Sequence, residues 1–225
     1  MMIGLICLLL TLVIYMAAKR LYKRYPKVYL SPLLVTPCII IIFLLCTHIP
    51  YEHYNAGGKW LSDMLQPATV AFAVPLYKNF KVLKKHAVEI VVSVLTGSFM
   101  AMISSAVLAK GLKLDTSLVT SLIPRSITTP IAMNVSQVIG GVPNITAVFV
   151  IMTGLLGSVL GPMILRLLRI ENEIARGVLL GTSAHGTGTS LAFGFSSMSG
   201  AISSVSMILA ALFTLGAAPL LMLMW

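Results

Sequence analysis

The 225-residue chain is 58% hydrophobic and only 10% charged, with a net charge of +10, where a soluble domain carries about 25% charged residues. So few charges cannot cover a water-exposed surface, and no polar stretch is long enough to make a soluble domain. Nine of the sixteen Lys and Arg residues sit in two short clusters, Lys19 to Lys27 and Lys78 to His86, each lying between apolar runs. That excludes a nucleic-acid site and follows the positive-inside pattern of membrane proteins.

In chain order, residues 2–18 are apolar, with no basic residue before them and five after. This predicts an anchor with its N-terminus outside rather than a secretory signal. A second span is expected over 28–47, with Pro32 and Pro37 inside it, and then an outer loop over 48–60 carrying His48 and His53 as solvated residues. The third segment, 61–77, is punctuated by Gln66, Pro67, Thr69 and Pro75, the composition of an interrupted helix. The basic stretch 78–86 returns the chain to the cytoplasm, and a fourth span covers 87–109.

The fifth segment, 116–139, is broken at Pro124-Arg125-Ser126-Ile127-Thr128-Thr129-Pro130. The sixth, 145–168, places Gly154, Gly157 and Gly161 on closely spaced turns suited to helix contact. A charged connector, 169–176, leads to the seventh segment, which contains Gly181-Thr182-Ser183-Ala184-His185-Gly186-Thr187-Gly188-Thr189-Ser190. The eighth covers 199–225. The expected fold is an all-α polytopic membrane protein, a single integral membrane domain over 1–225. It has about seven to eight transmembrane segments, with discontinuous helices. Eight full crossings would put Arg166, Arg169 and Arg176 outside; one re-entrant segment would put them inside, in better agreement with the charge rule. A shift of about 57 residues superposes the basic loops and lays Thr69, Ser126 and Ser183 over one another, with Thr96-Gly97 on Thr153-Gly154. This is the pattern of duplicated transporter units with an antiporter-like repeat architecture.

The breaks carry the chemistry. Backbone inside a bilayer must be satisfied internally, so glycine-rich stretches occur only where protein or a water-filled cavity covers them. For 181–190 two readings stand: close packing through small residues, or a broken helix facing a solute. The six acids, Glu52, Asp63, Glu89, Asp115, Glu171 and Glu173, all fall in loops or at span edges, which removes the usual mid-depth carboxylate of a cation antiporter. Arg125 stays charged and needs an anion. Either Asp115 or an interface serves, or a substrate carboxylate does, through bidentate bonds. Ser126, Thr128, Thr129, Ser183, Thr187 and Thr189 would then contact the substrate's other oxygens, with His185 beside them.

Ser183 and His185 are too close on one backbone to form a nucleophile–base pair, and no buried acid orients the histidine, so no enzyme is expected. Cys7, Cys38 and Cys46 lie in apolar segments without metal-ligand or disulfide spacing, so no metal and no cofactor are expected.

Three motifs occur in order: Pro67-Ala68-Thr69-Val70-Ala71 with Pro75-Leu76-Tyr77-Lys78; Ser126-Ile127-Thr128-Thr129-Pro130-Ile131-Ala132; and Ala184-His185-Gly186-Thr187-Gly188-Thr189. Together they make nearly the whole chain resemble the LrgB/CidB family. The family includes antiholin-like and holin-like bacterial proteins tied to murein hydrolase export and lysis, the plastid glycolate/glycerate transporter, and members linked to pyruvate movement. The resemblance implies a fold of crossed broken helices in a bacterial cell membrane. It also implies a small LrgA/CidA-type membrane partner and a homo-oligomer. Ser190-Leu191-Ala192 departs from it, since a basic residue is expected soon after the threonine-rich motif.

Two functions follow. One is secondary transport of small monocarboxylates such as pyruvate, glycolate or a 2-hydroxy acid, at a site made by Thr69, Arg125, Ser126, Thr128, Thr129, Ser183, His185, Gly186, Thr187, Gly188 and Thr189. Pro67, Pro75, Pro124 and Pro130 set the breaks. The other is a holin or antiholin role, in which oligomerisation alters permeability and lysis.

Overall fold

A helix satisfies its backbone within its own segment, which is why apolar chains of this kind fold as helices. The computed structural model describes residues 2–25, 30–64, 67, 70 and 73–223, and every element among them is helical. The chain divides into two compact units, Met1–Ala71 and Phe72–Trp225.

The first unit holds α1 (Met2–Arg24), α2 (Pro32–Thr47) and α3 (Tyr51–Asp63). The anchor expected over 2–18 runs on to Arg24, so Lys19, Arg20, Lys23 and Arg24 belong to the helix rather than to a loop. Cations there complement the negative end of the helix dipole. The loop expected over 48–60 is largely α3, entered through Pro50 and carrying Glu52 in its first turn, where an acid is favoured. His53 is therefore helical, and His48 ends α2 in the left-handed conformation (φ 53°). α1 and α3 approach through Gly4 and Gly57, where a Cβ on Gly57 would collide with the Gly4 carbonyl. Thr11 and Tyr54 share a 3.2 Å hydroxyl bond. Pro37 lies inside α2 without ending it.

Of the third segment, Pro67 and Val70 are helical and exposed. Gln66, Thr69 and the side chain of Pro75 lie outside the described residues, and the expected break there with them.

The second unit contains α4 (Ala73–Lys78), α5 (Phe80–Lys85), α6 (Ala87–Gly111), α7 (Thr116–Leu122), α8 (Thr129–Val138), α9 (Pro143–Leu167), α10 (Glu173–Phe195) and α11 (Ser197–Leu223). The expected cytoplasmic loop 78–86 is mostly the short helix α5, with Leu83 buried as its anchor. The core is built from Val94, Met102 and Ala106 of α6, Ile127 of the α7–α8 turn, Val150 of α9 and Ile202 of α11. The outward faces are equally apolar: Val92, Phe99 and Leu108 on α6, Ile151 and Leu156 on α9, and Leu212 and Leu220 on α11 are exposed. Large contiguous apolar surface is not tolerated in water; here its solvent is lipid.

Four described helices are long and apolar enough to cross a membrane, over Gly4–Arg24, Ala87–Gly111, Pro143–Leu167 and Ser197–Leu221. At about 1.5 Å per residue, 25 residues span about 37 Å, enough for a hydrocarbon core of about 30 Å. The chain is a membrane protein. In the second unit these long helices alternate with two shorter helix pairs, α7–α8 and the two halves of α10.

Candidate functional site: two helix turns around α6

The first pair begins at Asp115, which caps α7. Its Oδ2 accepts from the Ser117 hydroxyl at 2.6 Å and from the Ser117 amide at 3.0 Å. Those bonds, the hydroxyl first, hold the Asp115 carboxyl below its usual range. α7 ends at Leu122, residues 123–128 form turns, and α8 starts at Thr129 with Pro130 in its first turn, where the missing N–H costs nothing.

The chain then comes back on itself. The Thr146 hydroxyl of α9 lies 3.0 Å from the Ser121 carbonyl and 2.6 Å from the Ser136 hydroxyl, so residues 121 and 136 stand side by side. All three are fully buried. The Val142 amide completes the knot by donating to the Ser121 hydroxyl at 2.7 Å. Gly141 fits beside it because a Cβ there would strike Ser136 and Ser121.

The turn presents Arg125. Its side chain is half-buried, and its Nε donates to the Ser105 hydroxyl of α6 at 2.8 Å. Its Nη1 reaches the Ser126 hydroxyl at 3.5 Å. Ser105 in turn donates to the Ala101 carbonyl at 2.6 Å. Among the described residues no carboxylate forms an ion pair with Arg125. The candidate partner Asp115 is engaged with Ser117 instead. Thr128 and Thr129 are half-buried at the start of α8, where Thr128 makes no side-chain cap. Beside the turn lies a cavity of about 10 Å³, bounded by Ser98, Met102, Pro124, Ser126, Ile127 and Thr214. The Ser98 hydroxyl is buried without a hydrogen-bond partner.

The second pair begins at Asn172, whose Oδ1 accepts from the amides of Ile174 at 2.8 Å and Ala175 at 3.1 Å. The backbone leaves helical values at Ala184 (φ −133°, ψ 20°) and His185 (φ 40°, ψ −129°). In an unbroken helix residues 176 and 195 would stand about 28 Å apart. Here the Arg176 guanidinium lies 5.6 Å from the centre of the Phe195 ring. The Ser199 hydroxyl donates to the Glu173 carbonyl at 3.0 Å. The halves 173–183 and 186–195 therefore fold against each other, with His185 at the tip.

Glycines make that fold-back possible. A Cβ on Gly188 would collide with the Leu180 carbonyl, and one on Gly181 with the Ser203 carbonyl of α11. On α9, Gly157 faces Ala184 and Gly161 faces Leu180. A Cβ on Gly154 would lie 2.7 Å from the Thr187 hydroxyl and 3.2 Å from the His185 ring. His185 is buried and its Nε2 donates to the Val150 carbonyl at 3.1 Å. Thr189, fully buried, donates to the His185 carbonyl at 2.9 Å and shares a 3.0 Å bond with Ser203. Ser183 is exposed, bonded to its own Leu179 carbonyl at 2.6 Å, so it makes no pair with His185. Gly186 and Thr187 are half-buried, and Gly186 has no neighbour that a Cβ would meet.

α6 is the neighbour common to both turns. Gly97 lies against Thr182 of α10, Ser98 bounds the cavity beside the first turn, and Ser105 holds Arg125. The buried hydroxyls of Ser98, Thr182 and Ser206 have no partners. Ser98, Ser105, Ser203, Ser206 and Thr214 were not singled out in the sequence, whereas Thr182 stands in the 181–190 stretch that was. Their signal was spacing: Ser98 and Ser105 are seven apart, and Ser199, Ser203 and Ser206 follow i, i+4, i+7, so each set shares one helix face. Among the described residues no His, Cys, Asp or Glu cluster could hold a metal.

A family model described as the LrgB-like family matches residues 11–224. The chain is 64% identical to the uncharacterized protein YwbG of Bacillus subtilis, over 99% of each chain. It is 43% identical to the uncharacterized protein YxaC of the same organism, over 93% of this chain and 91% of that one. It is 39% identical to the holin-like protein CidB of Staphylococcus aureus, over 99% of this chain and 97% of the relative. No solved structure matches.

Proposed function

The chain belongs to the LrgB-like family, and from that premise we propose that it carries small monocarboxylates across the cell membrane, through a site at the α7–α8 turn. The observation that carries this reading is Arg125, a half-buried cation held, among the described residues, by hydroxyls alone. A permanent charge at that depth needs an anion, and a carboxylate substrate supplies it through paired charge-assisted bonds. The start of α8, with Thr128 and Thr129, adds backbone N–H donors and partial positive charge. His185 and its neighbours serve as the packed counterpart of that site rather than as its anion ligand. The protein binds and moves its substrate without altering it.

The alternation of long helices and folded-back pairs supports a discontinuous-helix architecture. With residues 78–86 inside, α6 crosses outward, the α7–α8 pair dips in from outside and α9 returns. The α10 pair then dips in from inside. Arg166, Arg169 and Arg176 fall on the cytoplasmic side, in agreement with the charge rule. The pairs enter from opposite faces, as in inverted-repeat transporters. Asp115 and Asn172, the two capping residues, are 57 positions apart, the same offset that relates Ser126 to Ser183. For the first unit, the basic stretch 19–27 taken by itself puts the N-terminal end outside under the positive-inside rule.

A second reading rests on the name of the Staphylococcus relatives, holin-like protein CidB. In it, copies of the chain assemble, with or without a smaller LrgA/CidA-type protein, and permeabilise the membrane to influence murein hydrolase export and lysis. Proteoliposomes separate the two. Saturable uptake of labelled glycolate or pyruvate without release of an entrapped dye supports transport. Dye release that shows no saturation with any carboxylate supports permeabilisation and ends the transport reading.

A further inference from the structure

A cavity of about 380 Å³ lies away from both turns, wholly within the first unit. Its chemistry changes along its length. Leu10 of α1 and Phe43 of α2 line one part. His48, which ends α2, and His53, in the first turn of α3, line another. Phe43 stands about 7.5 Å back along α2 from His48. The cavity is therefore apolar deeper in α1 and α2 and carries imidazoles where α2 stops. Ile6 also lines it and is 62% exposed, and Leu9 and Val13 continue the same outward apolar face of α1. The cavity thus borders lipid. On α3, Tyr51 and Trp60 are exposed, and such aromatics favour the headgroup level of a bilayer. Cys7 shares the cavity wall with the two histidines, but among the described residues no group of three His, Cys, Asp or Glu is placed to hold a metal.

We infer that this cavity holds one chain of a membrane phospholipid, with the chain between Leu10 and Phe43 and the phosphate or ester oxygens accepting from His48 and His53. The order of polarity matches. A phospholipid passes from hydrocarbon to an oxygen-rich headgroup, and the cavity passes from apolar side chains to imidazoles over the end of α2. Apolar cavities of this size with a few convergent polar groups are the usual form of a small-molecule site. Each imidazole carries at least one N–H in either protonation state, and its bond to a phosphate anion is charge-assisted. A hydrophilic solute would find no partners at the Leu10 and Phe43 end. The site is independent of Arg125 and of the transport reading.

The probe is phosphatidylglycerol with a photoactivatable group at the end of one chain, added to the purified, delipidated full-length protein. Native mass spectrometry counts the lipid bound, peptide mapping locates the cross-link, and thermal unfolding checks folding. Wild type is expected to retain one phosphatidylglycerol per chain, cross-linked near Leu10 or Phe43. Leu10→Trp fills the apolar end and should abolish retention. His48→Ala combined with His53→Ala removes the donors without filling the cavity and should weaken binding at least ~10-fold, the scale of lost hydrogen bonds to a charged group. The two variants act at opposite ends, so either one that folds decides the matter. Failure of folded wild type to retain lipid, a cross-link confined to other helices, or wild-type binding in a folded variant overturns the site. A dimer that Leu10→Trp dissociates, with no lipid bound, would assign the cavity to a second copy of the chain and overturn it equally.

Discussion

The two turns, 123–128 and 184–185, reverse the chain by opposite means. At the second, glycines let backbone approach backbone, and the turn's own polar groups bond inward, His185 to Val150 and Thr189 to its own turn and to Ser203, while the buried Thr182 hydroxyl nearby stays unpartnered. At the first, only Gly141 is needed for packing, and the polar groups are left partly open. Arg125 rests on hydroxyls, and Ser98 faces a small cavity with no partner. A polar motif in an apolar chain can thus be a packing device or a binding surface, and the difference here is a half-buried cation without an ion-pair partner among the described residues. On the proposed function, binding falls to the first turn and assembly to the second.

The largest expected effect tests the binding half of that contrast. Arg125→Gln removes the cation facing a buried anion, a loss on the order of 2–5 kcal/mol, so carboxylate affinity should drop at least ~30-fold. Arg125→Lys keeps the charge without the planar fork, and intermediate affinity is expected. Isothermal titration on folded protein decides it. Wild-type affinity in Arg125→Gln would make the arginine structural and send the search for the anion site to the second turn.

The assembly half is tested by neighbouring glycines. Gly188→Ala drives a methyl into the Leu180 carbonyl, and overpacking of this kind costs about 1–3 kcal/mol. Gly186→Ala meets nothing within 4 Å and should leave stability unchanged or raise it by up to about 1 kcal/mol, since alanine restricts the unfolded chain. Unfolding midpoints of the two variants in the same detergent give the comparison. Equal destabilisation at both positions would mean that the second turn is not packed as described.

His185 allows a finer test of the same turn. Its φ of 40° with ψ of −129° is a conformation suited to glycine. Alanine and glycine both delete the ring and its bond to Val150, but alanine keeps the backbone strain, of order 1–3 kcal/mol. His185→Gly should therefore be the more stable of the two by about 1 kcal/mol or more. A less stable glycine variant would show that the ring, rather than the backbone, sets the turn.

What was legible in the sequence follows the same division. Apolar runs marked α6, α9 and α11 correctly, the first two with cationic ends, because lipid demands long uninterrupted apolar helices. The glycine spacing at 154, 157 and 161 pointed to helix contact, and α9 uses those residues in that way. Helix α3 was missed because its mean composition is that of a loop. Only its one-sided packing on α1, through Gly57 and Tyr54, makes it a helix worth forming. At the candidate site Arg125 and Ser126 were visible because charge and proline are conspicuous in an apolar chain. Ser98, Ser105 and Thr214 were not, since a lone serine in a span normally bonds to its own helix, as Thr96 and Thr153 do here. Only the tertiary structure reveals that Ser98 does not.

The smallest expected effect separates the entrances of the two pairs. Asp115 caps α7 and Asn172, 57 positions on, caps α10; each accepts from backbone amides just inside its helix. Only one of the caps can titrate. The Asp115 carboxyl is held below its usual range by the Ser117 hydroxyl and amide, so its folded pKa lies below the unfolded value of about 3.9. A depressed carboxyl contributes stability that is fully present above the unfolded pKa and is lost as pH falls through the folded one. Between pH 5 and pH 2, hydrogen-exchange protection at the Ser117 amide, corrected for intrinsic rate, should decline. Protection at Ile174 should not. Asp115→Asn should flatten the Ser117 profile while leaving that of Ile174 as it was. Parallel loss at both amides in the wild type would mean that acid loosens the whole unit, and that the Asp115 carboxylate plays no separate part in holding the first pair.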